Sequence, residues 1–533
     1  FSVVPFSASV NVGANNRTAN WMDQNGVSPI HHENLNWGTM GAASTPWKLN
    51  GANGAKLDAS GKALTRFTIL DNLKFASGGT ESTLPIAPVA PALGSCRVWK
   101  SGTGTSSGSA TDANCAVKDR VGTITMLRPS VTADRATLAT LMGTTDAALK
   151  EKYVWKGCVE ARPYPYNLQD DSPSGSTPAT YFVPMMALDE FNNVRYGITS
   201  NSSTTSGDSG SGNNWWPESV TATSRLISDS TANYTSAGTP STAWKVSTGR
   251  DRFADATKYY NETPYLLGSS STVSAANVTS TSSSVVRKGQ WHYFKADPGV
   301  NVGCTTTPIT PLTGTESTVI SAINALQPTG NTNVTEGLAW GWRTVSAEEP
   351  FSEGVANTNR GVDKVIIVFT DGANTYSAMS ANADYAAQVS TYAAYGYTGW
   401  ANNTASTNTG TQIGASNKAR IFQGTTLGQT TANYSTAMIT QMGELCTNIK
   451  AGDRILLMTV ALDLDKTVSS ENQMITALKN CAGTSKTRKT SSGDPEKMFW
   501  NACTRTVSDG SCTPLDDTFK QIKDELSNLR FVG

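Results

Sequence analysis

The clearest hydrophobic pattern in the chain is a short apolar run from Val365 to Phe369. Because no polar residue interrupts it, the run is typical of a strand buried on both faces in a parallel sheet covered by helices. Thr370, Asp371 and Gly372 follow it with two oxygen-bearing side chains and a turn residue. Ligands of open α/β sheets bind beyond the carboxyl ends of the strands, so Asp371 is the first candidate functional residue.

Further segments of the α/β type follow this run. Two more buried strands are predicted at residues 455–461 and 497–502. Helical spacing predicts three helices, whose apolar faces comprise Met438, Met442, Leu445 and Ile449, then Met474 and Leu478, and finally Leu515, Phe519, Ile522, Leu526 and Leu529. Thr513 is the expected cap of the last helix and Pro514 its first residue.

A loop upstream of the apolar run carries a second candidate residue, Thr332. A helix before this loop is predicted from Val319, Ile320, Ile323 and Leu326, and it is ended by Pro328 and Gly330. Asn333 is expected to cap the next helix, with Glu336 bonding back to it in a capping box. A loop hydroxyl at Thr332 and a carboxylate at Asp371 begin a hard-cation site, because Mg²⁺ takes oxygen ligands and keeps waters.

The remaining sequence predicts a single sheet domain that is interrupted by a long insertion. Residues 1–12 are predicted as an early strand of the sheet. Residues 13–311 are rich in turns, and we predict that they form an inserted region because a compact sheet domain needs no connection of this length. Residues 312–533 continue the sheet domain. An excursion over 376–430 leaves from the candidate site and is expected to form its rim.

Composition limits the class of function. The 533 residues contain 42 Lys plus Arg and 42 Asp plus Glu, so no basic face supports nucleic-acid binding. Only 16% of the residues are charged, and Ser, Thr, Asn and Gly take their place, which suits a secreted or surface protein. No run approaches the ~20 apolar residues of a membrane helix, and no signal peptide opens the sequence.

The eight cysteines predict disulfides. None of them has the spacing of a zinc site. An even count without metal spacing favours disulfides in an oxidising compartment, and buried thiols in a cytosolic protein are the alternative. We predict pairing between neighbours in the sequence: Cys96–Cys115, Cys158–Cys304, Cys446–Cys481 and Cys503–Cys512.

Two serine-containing strings have the spacing of hydrolase motifs. Ser106 lies in a Gly-x-Ser-x-Gly string, and Ser209 lies in a Gly-Asp-Ser-Gly-Ser string. Both occur in Ser/Gly-rich sequence without the strand, turn and helix that a nucleophile elbow needs. A triad also needs a positioned histidine, and the chain has three. We therefore predict that the protein is not an enzyme.

Two other patterns resemble metal sites. Asp170, Ser172 and Ser174 have Asp-x-Ser-x-Ser spacing, but Pro173 interrupts the pattern and no buried strand precedes it, so we interpret the match as coincidental. Residues 31–33, His-His-Glu, are interpreted as a solvated loop, because adjacent side chains rarely point the same way.

Several segments carry a family resemblance. The first three are the Gly330-Asn-Thr-Asn333 loop, the Trp340-Gly-Trp342 helix and the Thr370-Asp-Gly372 strand end. Together they resemble the second and third motifs of a von Willebrand factor A domain. The others are Val154-Trp-Lys-Gly-Cys-Val-Glu-Ala-Arg162, Tyr181-Phe-Val-Pro-Met-Met-Ala-Leu-Asp-Glu190, Leu338-Ala-Trp-Gly-Trp-Arg343, Leu478-Lys-Asn-Cys481 and Leu529-Arg-Phe531. With these the chain resembles the TadG-like proteins of bacterial tight-adherence (Tad, Flp) pilus systems.

The resemblance implies a von Willebrand A-type α/β fold, with a parallel sheet between helices and a large, disulfide-bonded insertion of loops and strands. It also implies a metal-ion-dependent adhesion site at Thr332 and Asp371, where Mg²⁺ or another divalent cation keeps a position open for a partner's carboxylate. The family's first motif, Asp-x-Ser-x-Ser, and an N-terminal membrane anchor are expected before Phe1. Because the sequence from Phe1 onward lacks the first motif, the alternative is a site that holds no cation.

The expected function is binding, adhesion or assembly outside the bacterial cytoplasm, in the periplasm, on the outer surface or in the medium. The implied partner is a protein of a Tad-type pilus or of the cell surface, and self-assembly is a further expectation. Membrane contact is expected only through the N-terminal anchor, and nucleic acid is not an expected partner. The competing hypothesis is a metal-free structural scaffold or filament component, and a hydrolase is third.

Overall fold

The secondary structure of the protein comes from a computed structural model, which describes residues 1–31, 63, 65–68, 70, 124–125, 154–187, 193–195, 272–273, 290–292, 299–359, 361–376, 392–397, 418–428, 430–451, 455–504 and 512–532. The strands are β1 (Val10–Asn11), β2 (Ile124–Thr125), β3 (Cys158–Glu160), β4 (Val183–Pro184), β5 (Asn193–Arg195), β6 (Thr272–Val273), β7 (Gln290–His292), β8 (Lys364–Thr370), β9 (Ile455–Leu462), β10 (Thr484–Lys489), β11 (Pro495–Lys497), β12 (Phe499–Cys503) and β13 (Thr513–Pro514). The α-helices are α1 (Glu316–Asn324), α2 (Val334–Val345), α3 (Tyr434–Ala451), α4 (Ser469–Cys481) and α5 (Leu515–Val532).

Four parallel strands form the central sheet in the order β13-β12-β9-β8. The pairing of β8 with β9 runs without a shift from Lys364 opposite Ile455 to Thr370 opposite Ala461. The apolar run that begins at Val365 is therefore a strand of a parallel sheet, as the sequence predicted. This confirms the α/β class, and the predicted strands at 455–461 and 497–502 correspond to β9 and β12.

Helices cover both faces of the sheet, and side chains alternate between the two faces because the strand period is two. One face packs against α2, α3 and α4, and its core includes Leu338, Ile366, Val368, Met442, Leu445, Ile449, Leu457, Met474 and Leu478. The other face packs against α5 through Met458, Val460, Met498, Trp500, Ala502 and Ile522. The predicted helices α3 and α4 thus bury the residues that the spacing selected, whereas α5 buries Ile522 and leaves Phe519 50% exposed.

The first predicted helix, α1, forms but buries none of its residues. Ile320 is 49% exposed and Ile323 is 52% exposed. The spacing of its apolar residues predicted the helix correctly. Periodicity reports only that a helix has an apolar side, so it does not reveal whether another element covers that side.

The start of the last helix differs from the prediction. Thr513 and Pro514 form β13, which pairs in parallel with Ala502 and Cys503 of β12, and α5 begins only at Leu515. The disulfide between Cys503 and Cys512 brings this segment beside β12. Strand pairing therefore takes the place of the predicted helix cap.

The N-terminal segment, predicted at 1–12 as a strand of the parallel sheet, pairs elsewhere. Val3 exchanges backbone hydrogen bonds with Thr310, and β1 joins an antiparallel sheet in the order β1-β3-β4. Phe6 holds the segment against α2, because its ring lies 2.4 Å from where a Cβ on Gly337 would stand. A glycine at position 337 is required for this approach.

A buried carboxylate, that of Glu160 in β3, ties distant segments together. Arg66 and Arg420 both form ion pairs with it, and Tyr392 donates a hydrogen bond to it. Burial alone raises the pKa of Glu160, but the two guanidinium groups outweigh it and hold the pKa below its usual range. Residue 392 and residue 420 belong to the predicted excursion, so its described parts are anchored to the inserted region.

Aromatic contacts join the described part of the insertion to α2. The ring of Phe182 lies 4.9 Å from that of Trp340 and 5.7 Å from that of Trp21. The guanidinium of Arg343 lies 5.2 Å from the Phe182 ring, and that of Arg162 lies 4.7 Å from it. Four of these side chains come from the segments that carry the family resemblance, and Trp21 comes from the start of the inserted region; together they form one packed cluster.

Three of the four predicted disulfides are present. Cα–Cα distances are 5.6 Å for Cys158–Cys304, 5.3 Å for Cys446–Cys481 and 5.7 Å for Cys503–Cys512. The fourth pair, Cys96–Cys115, lies outside the described residues. Disulfides are consistent with an extracytoplasmic location. Among the helices that the structure describes, none combines the length and apolarity needed to cross a bilayer.

His31 contradicts the interpretation of residues 31–33 as a solvated loop, since its side chain is buried. Its Nδ1 lies 3.0 Å from Oδ2 of Asp23, and its Nε2 accepts a hydrogen bond from the backbone N–H of Arg66. Burial raises the pKa of Asp23, but His31 and the backbone N–H groups of Ser28 and Val27 outweigh it and lower the pKa to about 2.

We expect Glu160→Gln to lower the free energy of unfolding by about 3–5 kcal/mol, because it leaves two buried guanidinium groups without a carboxylate. Chemical denaturation of the disulfide-bonded protein measures this loss. The matched control is Glu353→Gln, which neutralises an exposed carboxylate. A loss below about 1 kcal/mol for Glu160→Gln would contradict the structural role of the buried carboxylate.

We expect Asp23 to contribute about 2 kcal/mol to the free energy of unfolding, because its pKa falls from 3.8 to about 2 on folding. A depressed pKa stabilises the folded state above the unfolded pKa, and this contribution is lost as the pH falls from about 4 to about 2. The difference in stability between the native protein and Asp23→Asn should therefore close over that interval. Denaturation at a series of pH values measures it, with Asp363→Asn at an exposed position as the control.

Candidate functional site

The site is built at the amino end of α2, where Asn333 caps the helix. Its Oδ1 accepts a hydrogen bond from the backbone N–H of Glu336 at 3.0 Å, as predicted. The reciprocal half of the predicted capping box does not form. Asn333 N instead donates to Ser7 O at 2.9 Å, and Oε1 of Glu336 accepts from the indole N–H of Trp340 at 2.9 Å. The N-terminal segment has thus replaced the Glu336 side chain as the acceptor.

Reciprocal hydrogen bonds join the Thr332 loop to the loop after β8. Thr332 N donates to Oγ1 of Thr375 at 2.9 Å, and Thr375 N donates to Thr332 O at 2.9 Å. Two residues after Thr332, Val334 N donates to Oδ1 of Asn374, the residue before Thr375, at 2.8 Å. Asn374 is buried, so its side chain fixes the first turn of α2 relative to the sheet.

This geometry brings the two predicted residues, Thr332 and Asp371, to neighbouring positions at the carboxyl end of β8. Oγ1 of Thr332 lies 3.2 Å from where a Cβ on Gly372 would stand, and Gly372 directly follows Asp371. Thr370 closes the turn, since its hydroxyl donates to Gly372 O at 3.1 Å. Asp371 is exposed and Thr332 is half-buried, so solvent and dissolved ions reach both.

Sequence reasoning missed three residues of this arrangement: Ser7, Asn374 and Thr375. Asn374 and Thr375 come five and six positions after the end of the apolar run. Short amide and hydroxyl side chains in a turn after a strand commonly form hydrogen bonds with nearby backbone groups. The residue types and positions of Asn374 and Thr375 could therefore have indicated their role. The contact of Ser7 spans more than three hundred residues of sequence and has no local signal.

Glu336 is the nearest additional carboxylate in the Thr332 loop and helix, but it is fully buried within α2. Burial raises its pKa, although Arg343 and the hydrogen bond from Trp340 act in the opposite direction. Its oxygen is also engaged by the indole. Glu336 therefore supports the helix and is not placed to serve a solvent-accessible ion.

The Asp170 string lies at the other end of α2, which supports the interpretation that its spacing is coincidental. Ser346, just beyond the helix, donates to the carboxylate of Asp170, and Ser172 donates to Glu348 at 2.5 Å. A helix of 12 residues is about 18 Å long. These oxygens are thus well beyond the span of one ion at Thr332.

Two further predictions lie largely or wholly outside the described residues. Ser106 and Ser209, the hydrolase candidates, are among the residues that the structure does not describe. The predicted rim is described only at 376, 392–397, 418–428 and 430. There Tyr376 stacks on Tyr434 of α3 at 5.6 Å and packs against the core around α3.

The donors present fit a weakly held hard cation. Thr332 supplies a neutral hydroxyl and Asp371 a carboxylate, and Mg²⁺ is commonly bound through one or two carboxylates with water at its other positions. Within the described residues, no group of three or more His, Cys, Asp or Glu side chains has the arrangement of a metal site. A soft or borderline metal such as Zn²⁺, which needs three or four nitrogen or sulfur ligands, does not fit.

Comparisons of the chain with known protein families, with curated proteins and with solved structures found no match. Interpretation of the site therefore depends on the donors, their exposure and the fold that positions them. Thr332 and the turn that carries Asp371 lie together at the carboxyl end of β8.

We expect Asn374→Ala to lower the free energy of unfolding by about 1–3 kcal/mol, because it leaves the buried N–H of Val334 without an acceptor. Chemical denaturation measures the change. Asn480→Ala, at an exposed position of α4, is the matched control and should change stability by no more than about 0.5 kcal/mol. Equal effects of the two substitutions would contradict the role of Asn374 in joining the loops.

Proposed function

We propose that this protein is an extracytoplasmic binding protein that holds a divalent cation at Thr332 and Asp371. The observation that carries the proposal is the approach of the Thr332 hydroxyl to 3.2 Å from the Cβ position of Gly372, beside the exposed carboxylate of Asp371. Two oxygen donors on hydrogen-bonded loops at the carboxyl end of a parallel strand suit a hard cation. The disulfides support a location outside the cytoplasm.

The partner in this proposal is a protein that offers a carboxylate. A cation held by one hydroxyl and one carboxylate keeps positive charge and retains waters that an incoming carboxylate displaces. Thr332 and Asp371 orient the ion, and reciprocal hydrogen bonds between Thr332 and Thr375 support their loops. We assign the domain to the von Willebrand A type and the protein to a Tad-type pilus or surface apparatus, on the sequence motifs described above.

A metal-free scaffold is the second candidate. It is favoured by one observation: the described residues offer a single carboxylate, Asp371, beside Thr332, and no larger acidic or histidine cluster. Disulfides would then maintain the fold, and the protein would act as a structural or filament component of the cell surface. Cation binding separates the two candidates.

We expect the purified protein to bind Mn²⁺ with a dissociation constant in the millimolar range or tighter, and Mg²⁺ to compete for the same site. Electron paramagnetic resonance of free Mn²⁺ measures the binding. Asp371→Asn should weaken it by about tenfold or more, and Thr332→Val by a smaller factor, because a carboxylate contributes charge as well as an oxygen.

The matched control is Asp363→Asn, which removes an exposed carboxylate just before β8, at the opposite end of the strand. It should leave Mn²⁺ binding unchanged. If the native protein does not bind Mn²⁺, or if Asp363→Asn and Asp371→Asn weaken binding equally, the cation proposal fails and the scaffold is the better explanation.

A further inference from the structure

His31 is in close contact with two different segments through its two ring nitrogens. Its Nδ1 lies 3.0 Å from Oδ2 of Asp23, and its Nε2 accepts a hydrogen bond from the backbone N–H of Arg66 at 2.8 Å. The side chains of His31 and Asp23 are both buried. A ring nitrogen that accepts a hydrogen bond carries no proton, so this geometry requires a neutral imidazole with its proton on Nδ1.

Arg66 joins residues 65–68, which we call the Arg66 segment, to the chain around it. Its guanidinium donates to the backbone carbonyl oxygens of Ile30 and Pro184 at 2.9 Å each, and to that of His31 at 3.2 Å. It also pairs with the buried carboxylate of β3. His31 thus holds this segment through both its ring and its backbone carbonyl oxygen.

A proton added to His31 would break the contact between the ring and the Arg66 segment. It would occupy Nε2 and point at the N–H of Arg66, which places two donors face to face in a buried position. On the other side of the ring, the imidazolium would attract the carboxylate of Asp23 more strongly than the neutral ring does. Acidification therefore keeps His31 beside Asp23 and separates it from the backbone of Arg66.

The other charged and titratable groups that the described residues place here keep their charge in mildly acidic solution. Burial raises the pKa of Asp23, but His31 and backbone hydrogen bonds lower it to about 2. Burial also raises the pKa of Glu160, but its two guanidinium partners hold it below its usual range. The pKa of Tyr392 is raised well above its usual value by burial. Guanidinium groups stay charged in proteins, and those present are Arg17, Arg66 and Arg420.

We propose that His31 is a pH switch, whose protonation in mildly acidic solution releases the Arg66 segment from residues 23–31. The Glu160 carboxylate keeps Arg420 and Tyr392 as partners when Arg66 leaves, so the opening is local and the domain stays folded. The switch consists of residues from the inserted region, and it does not depend on the cation site proposed above.

The size of the effect follows from the proton that the open form binds at Nε2 and the closed form does not. A solvated imidazole has a pKa of about 6.5, so at about pH 5.5 protonation favours the open form by about tenfold. At about pH 7.5 the same proton has almost no effect on the equilibrium. The closed form is therefore favoured above this interval, and the preference is lost as the pH falls through it.

Hydrogen exchange of the full disulfide-bonded chain, measured by mass spectrometry and corrected for the intrinsic effect of pH, tests the switch. We expect the protection of the Arg66 segment to fall by about tenfold or more between about pH 7.5 and about pH 5.5, while that of β9 stays unchanged. The backbone N–H of Arg66 is a direct reporter because its acceptor is the His31 ring.

Nuclear magnetic resonance of isotopically labelled histidine side chains is the second measurement on the native protein. The chain contains three histidines, so the His31 signal can be assigned by comparison with His31→Gln. We expect His31 to take up its proton over the same pH interval in which the Arg66 segment loses protection. A neutral His31 at about pH 5.5 would contradict the proposal.

His31→Gln separates the switch from other effects of acid. The glutamine oxygen accepts a hydrogen bond as Nε2 does but takes up no proton at these pH values. The Arg66 segment of this variant should therefore have the same protection at both pH values. His292→Gln, at a histidine of β7, is the matched control and should retain the native pH dependence. If His31→Gln does not fold, the two measurements on the native protein decide.

Three further results would overturn the proposal. Proton uptake by His31 without loss of protection in the Arg66 segment would show that the ring contact does not hold the segment. Native pH dependence in a folded His31→Gln variant would assign the effect to another group. Equal loss of protection in β9 would show that acid unfolds the domain as a whole.

Discussion

The fold depends on one buried carboxylate, that of Glu160, which must be neutralised by groups from elsewhere in the chain. Arg66, Tyr392 and Arg420, which bond to it, lie 94, 232 and 260 residues away in the sequence. Burying an ion costs several kcal/mol unless its partners are in place, so the segments that carry these residues are stable only together. The segments around Arg66 and Glu160 and the described parts of the excursion are therefore packed into the same structure, whatever their distance from one another in sequence.

A short chain of contacts connects this network to the candidate site. Ile421 and Phe422 follow Arg420 directly and pack with Tyr434 and Met438 of α3. From α3, Met438 O accepts a hydrogen bond from the Thr335 hydroxyl at 2.9 Å, and Ser435 donates to Asn374 O at 2.7 Å. The loops that carry Thr332 and Asp371 are thus held by α3, by the sheet and by the backbone of Ser7. Their positions follow from long-range packing and not from local turn preference.

These long-range contacts also set the limit of prediction from the sequence. The strands β8 and β9 and the helices around them have local signals, namely unbroken apolar runs and helical spacing. The three described disulfides join cysteines that are neighbours in the sequence, although Cys158 and Cys304 are 146 residues apart. Thr332 and Asp371 were identifiable because each stands at a predicted boundary of an element. The burial of His31, the position of residues 1–12 and the acceptor of Asn333 N had no such signal. Each of them depends on a partner dozens to hundreds of residues away.

β8 and β9 have similar apolar sequences but different environments. β9 is paired on both edges by β8 and β12, so its backbone is satisfied and most of its residues are buried. In the part of the chain that the structure describes, β8 pairs only with β9, and it ends in the exposed Asp371. Pairing with β9 without a shift in register fixes where β8 ends, and hydrogen bonds between the Thr332 loop and Thr375 fix the turn that follows. The two donors of the proposed cation site therefore stand on segments that the core holds in place, while solvent still reaches both side chains.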